Sequence, residues 1–243
     1  IVLISGSHRL GVREPGADID TVCVAPAFCT RDDFFTTLKE ALLREPDVEE
    51  LNAVETAAVP VMELEFRNIS IDLLFARLAD NIVSPDVKIL DDKILRNLDA
   101  ATEKSLNGPR VTDMIRELVP DSKWDTFLIV LRLARKWAKA RGLYGNKFGY
   151  LGGVNFNILV AFTIHCYPKG SPSLVLFKFF TIFSTWDWSI PIQLTHPRQN
   201  APGEYRDVWT KEAKPHECMP IITPAYPAMN SSFNVSLHSR QVM

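Results

Sequence analysis

Two aspartates stand two residues apart in Gly16-Ala17-Asp18-Ile19-Asp20, and a third sits between apolar neighbours in Ile71-Asp72-Leu73. Ile19 to Ala25 reads as a strand on its β-branched Ile19, Val22 and Val24. Alternation then sends Asp18 and Asp20 to one face, and Asp72 on a neighbouring strand can reach the same face. Three convergent carboxylates are an oxygen-ligand site suited to Mg²⁺ or Mn²⁺. Gly6-Ser7, at the end of an Ile1–Ile4 strand, adds a turn, backbone N–H groups and a hydroxyl that suit a phosphate. A lone D-x-D is usually a pair of solvated strand residues. Joined to the Gly-Ser and to the second acidic strand, it becomes the parts of a two-metal phosphoryl or nucleotidyl transfer site.

The elements that must position these residues alternate in the first section. Ile1–Ile4 reads as a buried strand already under way, with no basic region of a signal peptide before it, so the chain looks like an internal piece of a longer protein. Thr30 with Asp33 is a capping box, opening a helix whose Phe34, Phe35, Leu38 and Leu42 share one face. Val59–Arg67 and Ile69–Ala76 read as strands joined at Arg67-Asn68. If that is a two-residue hairpin, Phe66 pairs with Ile69, and Glu63 falls opposite Asp72 on the same face.

From about residue 90 the period turns helical. Ser122 with Asp125 suggests a second capping box, opening a helix through Phe127, Leu128, Leu131 and Ala134 that Gly142 closes. Arg132, Arg135, Lys136 and Lys139 fall on one face of that helix, a stripe that could clamp polyphosphate. Further helices are expected over Val154–Tyr167 and, mostly buried, over Leu174–Trp188, with long loops from Pro191.

Composition sets the bounds. With 243 residues, 47% hydrophobic and 23% charged, the chain is neither disordered nor low in complexity. Its most apolar run, Val154 to Cys166, is too short and too interrupted to cross a bilayer. Cysteines 23, 29, 166 and 218 lack metal-ligand spacing and are expected as reduced thiols in an intracellular compartment. Residues 1–80 carry 7 basic against 15 acidic side chains, and residues 81–243 carry 20 against 14. That asymmetry suggests a polyanion held between the two parts, with cations neutralising the acidic one.

The motif Gly6-Ser7-His8-Arg9-Leu10-Gly11-Val12 with Gly16-Ala17-Asp18-Ile19-Asp20 resembles the opening signature of eukaryotic nuclear poly(A) polymerases. Ser105-Leu106-Asn107-Gly108, Arg110-Val111-Thr112-Asp113, Tyr150-Leu151-Gly152-Gly153-Val154 and Met219 to Pro227 follow in family order. The resemblance implies an α+β fold of the DNA polymerase β-like nucleotidyltransferase superfamily: a mixed-sheet palm, then a mainly helical central domain. It places the palm at residues 1–80, the central domain at 81–230, and the start of a missing C-terminal RNA-binding domain at 231–243. The cleft between palm and central domain is where the family holds ATP and the RNA 3′ end.

It further implies template-independent addition of AMP from ATP to RNA 3′ ends in the nucleus, with two Mg²⁺ (or Mn²⁺) ions on Asp18, Asp20 and Asp72. ATP would meet Ser5, Gly6, Ser7, Asp72, Asn107, Arg135, Tyr144, Asn146, Gly153 and Val154. RNA 3′ ends and mRNA 3′-processing factors are the implied partners, with no membrane. Four positions depart from the family. His8 and Ser5 stand where tyrosine and phenylalanine are common, and Arg135 and Glu63 stand where lysines contact phosphate. Glu63 would give the third aspartate an acidic neighbour. The alternatives are a catalytically impaired relative that binds nucleotide or RNA, and a terminal uridylyltransferase.

Overall fold

The computed structural model describes every residue except 13–15, 58, 201–203 and 205. The chain forms two compact units, Ile1–Asp113 and Met114–Met243. Residues 81–113, assigned above to the helical part, are thus gathered with the sheet.

The first unit is built on a five-stranded mixed sheet in the order β1-β2-β5-β4-β3. Its strands are β1 (Val2–Ile4), β2 (Ile19–Ala25), β3 (Val48–Val54), β4 (Val61–Phe66) and β5 (Ile69–Arg77). Only β2 and β5 run parallel, and the other pairs are antiparallel. The hairpin register is as the sequence implies: Arg67 and Asn68 adopt φ of 50° and 59°, and Phe66 pairs with Ile69. Both turn residues in the left-handed region match a type I′ hairpin.

Strand alternation sorts the sheet into two faces. One carries Met62, Leu64, Leu73 and Phe75, which Phe34 and Phe35 cover. These two rings meet edge to face at 4.9 Å. They sit where α2 (Arg31–Asp33) passes through a wider π-type turn, Phe34–Leu38, into α3 (Lys39–Leu43). Thr30 caps α2 in the expected box with Asp33. The other face carries Val22, Val24 and Ala76, packed on Leu106 of α4 (Ala100–Leu118).

Two expectations fail here. β1 is an edge strand, with Val2 60% exposed, because β2 is its only partner among the described strands. β3 was not anticipated; its Val48-Glu49-Glu50-Leu51-Asn52-Ala53-Val54 is too acidic to read as a strand by composition.

The second unit packs α5 (Trp124–Ala140), α6 (Gly153–Cys166) and α7 (Pro172–Ser184) on one another. α6 is apolar all round and buried from Asn155 to Ala161. The Ser122 box does not form. Ser122 lies in a 3₁₀ turn, where Lys123 N donates to Pro120 O, and that turn leads straight into α5 with no side-chain cap. α7 is not mostly buried: only Val175 and Phe179 are, and Leu174 and Phe177 face solvent. A short α8 (Leu237–Val242) follows the loops after Pro191. Among those loops Glu217 is buried, accepting from Trp209 Nε1 and Asn230 Nδ2, both at 2.7 Å. All four cysteines are free thiols, and no described helix is long and apolar enough to cross a membrane.

Asp99 anchors the start of α4. Burial works against its charge, but hydrogen bonds from Arg31 and from the Thr102 N–H and hydroxyl bring its pKa down to about 2. A depressed carboxylate stabilises the fold above its unfolded pKa of about 3.9, and that contribution is lost as pH falls toward the folded value. Asp99→Asn should therefore melt below wild type at pH 7. The gap should close between pH 4 and pH 2 in thermal melts.

Candidate functional site

The parallel pairing of β2 with β5 sets Asp20 directly beside Asp72. Across β5 the hairpin sets Glu63 opposite Asp72, and on β3 Asn52 pairs with Glu63. Asp20, Asp72, Glu63 and Asn52 thus form one row across four strands. The row continues the face that, further along β2 and β5, holds the apolar Val22 and Ala76. Thr21 Oγ1 donates to Asp72 O at 3.0 Å and fastens the two strands beside the row. Asp18 precedes β2 rather than lying in it, yet its charge reaches Asp72. A cavity of about 410 Å³ is lined by Asp18, Glu50, Asn52, Glu63, Glu65 and Asp72 among others.

The electrostatics follow from this crowding. Burial, then the charges of Asp18, Asp20 and Glu63, push the Asp72 carboxyl up to about 6. Glu63 has one neutral donor, Asn52 Nδ2, at 3.2 Å. Like charges so placed call for a cation between them or a proton on one of them.

Gly6 and Ser7 lie in a short helix, α1 (Gly6–Arg9), rather than in an open turn. Gly6 has φ +58°, and a Cβ there would lie 2.2 Å from Asp20 Oδ2. The backbone conformation favours glycine, and a Cβ there would push the Asp20 carboxylate aside. Ser5 is buried, and its N–H donates to Asp20 O at 2.8 Å. Arg9 clamps Asp113 with both Nε and Nη2, so the Gly-Ser motif is tied to the Arg110–Asp113 motif on α4. Asn107, from the preceding motif, has a buried Oδ1 with no hydrogen-bond partner.

Hard carboxylate oxygens crowded on one face fit a divalent cation in donor chemistry. As placed, no group of three or more His, Cys, Asp or Glu side chains among the described residues is gathered at ligating distance. Asp20 Oδ2 is turned onto Gly6.

The remaining predicted residues gather in the second unit. Gly145 N donates to Leu151 O at 3.0 Å, and Tyr144 bridges to Leu151, folding the loop onto the start of α6. Tyr144 Oη accepts from Arg135 Nη2 at 3.2 Å and lies 3.2 Å from where a Gly153 Cβ would be. Asn146 packs on Gly152, its Oδ1 buried and unpartnered. Val154 is half-buried beside Gly153 at the helix start. The basic stripe is divided: Arg132, Lys136 and Lys139 are exposed, but Arg135 is 7% exposed beneath Tyr144. Sequence reasoning missed Asn52, because it missed β3. The alternation of Leu51 and Ala53 against Glu50 and Asn52 was the available signal.

Comparison with known proteins assigns both units. The sequence model of the poly(A) polymerase nucleotidyltransferase domain matches residues 1–119, and that of the poly(A) polymerase central domain matches residues 126–243. The chain belongs to the poly(A) polymerase family, within the polymerase β-like nucleotidyltransferases. It is similar to nuclear poly(A) polymerase 1 of Arabidopsis thaliana, 45% identical over 98% of this chain and 33% of that protein. A poly(A) polymerase of Dictyostelium discoideum is 41% identical over 98% of this chain and 29% of its own length. The chain thus spans about a third of the curated relatives it matches. In fold it resembles the Cid1 poly(U) polymerase, bound to Mg and 3′-dATP, with TM-score 0.67 and 14% identity over 98% of this chain and 76% of that one. The polymerase core of TRAMP matches 77% of this chain and 53% of its own, with TM-score 0.54 and 20% identity. Nucleotidyltransferases of this family use divalent metal ions and ATP, and bind RNA.

The raised Asp72 pKa carries a sign. A carboxyl whose folded pKa lies above its unfolded one favours the fold most below the unfolded value, and that contribution is lost as pH rises through about 6. In metal-free protein, Asp72→Asn should melt above wild type at pH 8, and the two should converge near pH 4. Equal melting at both pH values would mean that Asp72 is not crowded by its neighbours.

Proposed function

We propose that the chain transfers AMP from ATP to RNA 3′ ends without a template, as a nuclear polynucleotide adenylyltransferase of mRNA 3′ processing. The observation that carries this reading is the in-register pair Asp20–Asp72, with Asp18 beside it and Gly6-Ser7 folded against Asp20. Asp18, Asp20 and Asp72 would hold two divalent ions, Mg²⁺ or Mn²⁺. Bound there, the metals supply a lowered pKa for the RNA 3′-hydroxyl and charge neutralisation for the leaving pyrophosphate.

The chain's own residues do the rest. The Gly6 and Ser7 backbone and the Ser7 hydroxyl orient the triphosphate, with Ser5 buried behind them. Asp72 takes the hydroxyl proton. The orphaned Oδ1 atoms of Asn107 and Asn146 are acceptors waiting for donors, which ribose hydroxyls and the adenine amino group provide. Tyr144 would offer its hydroxyl to phosphate, with the buried Arg135 guanidinium joined behind it. Gly153 and Val154 would lie near the base. RNA 3′ ends, with mRNA 3′-processing factors that deliver them, are the partners this chemistry needs.

A second reading, an impaired relative that binds nucleotide or RNA, is favoured by Glu63, which stands directly opposite Asp72. Incorporation assays with each of the four nucleotides separate the readings. ATP-selective, chelator-sensitive incorporation that Asp20→Ala abolishes, in a protein that still melts cooperatively, is the expected outcome. Preference for UTP, or activity surviving Asp20→Ala, would overturn the assignment.

Glu63 gives a graded test. A charge-assisted hydrogen bond contributes about 1.5–3 kcal/mol, so Glu63→Lys should tighten ATP binding about tenfold at fixed Mg²⁺. Glu63→Gln should recover part of that gain, since it removes repulsion without adding a cation. Equal affinities across the series would mean that Glu63 does not face the phosphates.

A further inference from the structure

Arg9 closes the short helix that carries Gly6 and Ser7, and the chemistry proposed above gives it no role. Its guanidinium reaches two further elements. Nε and Nη2 donate to the two carboxylate oxygens of Asp113 on α4, the second at 2.8 Å, and Nη1 donates to Ile4 O, at the end of β1, at 3.0 Å. The bond pair to Asp113 is fork to fork, which fixes direction as well as distance. The two side chains are only 31% and 24% exposed. Sheltered and bidentate, the pair belongs to the minority of ion pairs that hold position.

The Gly-Ser turn keeps its own shape by other means. Arg9 N donates to Ser5 O, Leu10 N to Gly6 O and Val12 N to Ser7 O, at 3.0–3.3 Å, and Ser5 N donates to Asp20 O. What Arg9 adds is a directed bond from this turn to α4. That helix carries Asn107, with its buried, unpartnered Oδ1, six residues or about 9 Å of helix before Asp113. All of these residues lie in the first unit. The pair thus joins the turn assigned to the triphosphate and the helix assigned to the ribose.

Resting on the adenylyltransferase reading above, we propose that Arg9 and Asp113 are positioning residues. Their fork sets the span between the Gly6-Ser7 turn and Asn107, so that one ATP meets both at once. Two anchors at a fixed span hold the two ends of one ligand together, and slack between them lowers the effective concentration of the second end at its site. The pair therefore matters for intact ATP and little for either end alone. A pair that only stabilised the fold would weaken the binding of every ligand alike.

The test measures binding of ATP, inorganic tripolyphosphate and adenosine to the chain at fixed Mg²⁺ by equilibrium dialysis, beside thermal melts. Arg9→Lys keeps the charge but loses the fork, and should weaken ATP about tenfold. Asp113→Asn should do the same, and being nearly isosteric it carries the test if Arg9→Lys melts low. The double variant should lose no more than the weaker single, because the two groups act as one unit. Tripolyphosphate and adenosine should stay within twofold of wild type. Parallel loss of all three ligands would assign the pair to stability and overturn the proposal. So would ATP binding that matches wild type in both single variants. A wild-type chain that binds no ATP would instead overturn the nucleotide reading, and the positioning role with it.

Discussion

Like-charge crowding is the constraint on which the first unit depends. Asp20, Asp72 and Glu63 are set side by side by backbone pairing, not by side-chain choice. Strands about 4.8 Å apart cannot relieve that repulsion by drifting while their ladders hold. The opposing force is apolar: Met62, Leu64, Leu73 and Phe75 are sealed by Phe34 and Phe35 on one face. On the other face Val22, Val24 and Ala76 are sealed by Leu106. Each such buried side chain is worth about 1.5–3 kcal/mol, enough to hold several carboxylates in register. The sheet is therefore an anvil for charge, and its acidic row is held in register by the apolar packing further along both faces.

The second unit solves a different problem. Its site residues lie on a loop and a helix start, where backbone geometry is less constrained. Rigidity comes from local closures: Asn155 accepts from Gly152 N and donates to Ser231 Oγ, both at 2.7 Å. Glu217, whose Oε2 accepts from both Trp209 and Asn230, ties the long loops together. Asn230 in turn accepts from Ile221 N and Ser232 N through its Oδ1. Polar groups buried in this way are costly unless each finds a partner, so the pairs that close are structural. The orphaned oxygens of Asn146 and Asn157 stand out against them, as does that of Asn107 in the first unit.

Much of this was legible in the chain itself. β2 and the hairpin register follow from alternation and from the two-residue Arg67-Asn68 turn, signals that are local and short in range. The exposure of β1 and α7 was not legible, because burial depends on what packs from elsewhere. β3 was hidden by Glu49 and Glu50, whose charges suit a solvated edge and disguise a strand. Asp18 shows the same limit in miniature. It lies one residue outside β2, so strand alternation does not fix its direction, and its tie to Asp72 is electrostatic. Arg135 was read with the solvent stripe because its helical angle borders it. The folded loop at Tyr144 covers it instead.

Ser5 and Gly108 illustrate how such a site constrains its own history. A Cβ on Gly108 would come within 2.9 Å of Ser5 Oγ, and Ser5 is 4% exposed. The two positions share one small volume, though 103 residues separate them in sequence. A bulkier side chain at position 5 would press on α4 at Gly108. Substitutions at the two sites are therefore epistatic. The order in which they arise decides which are tolerated, and a change harmless in one lineage is closed to another.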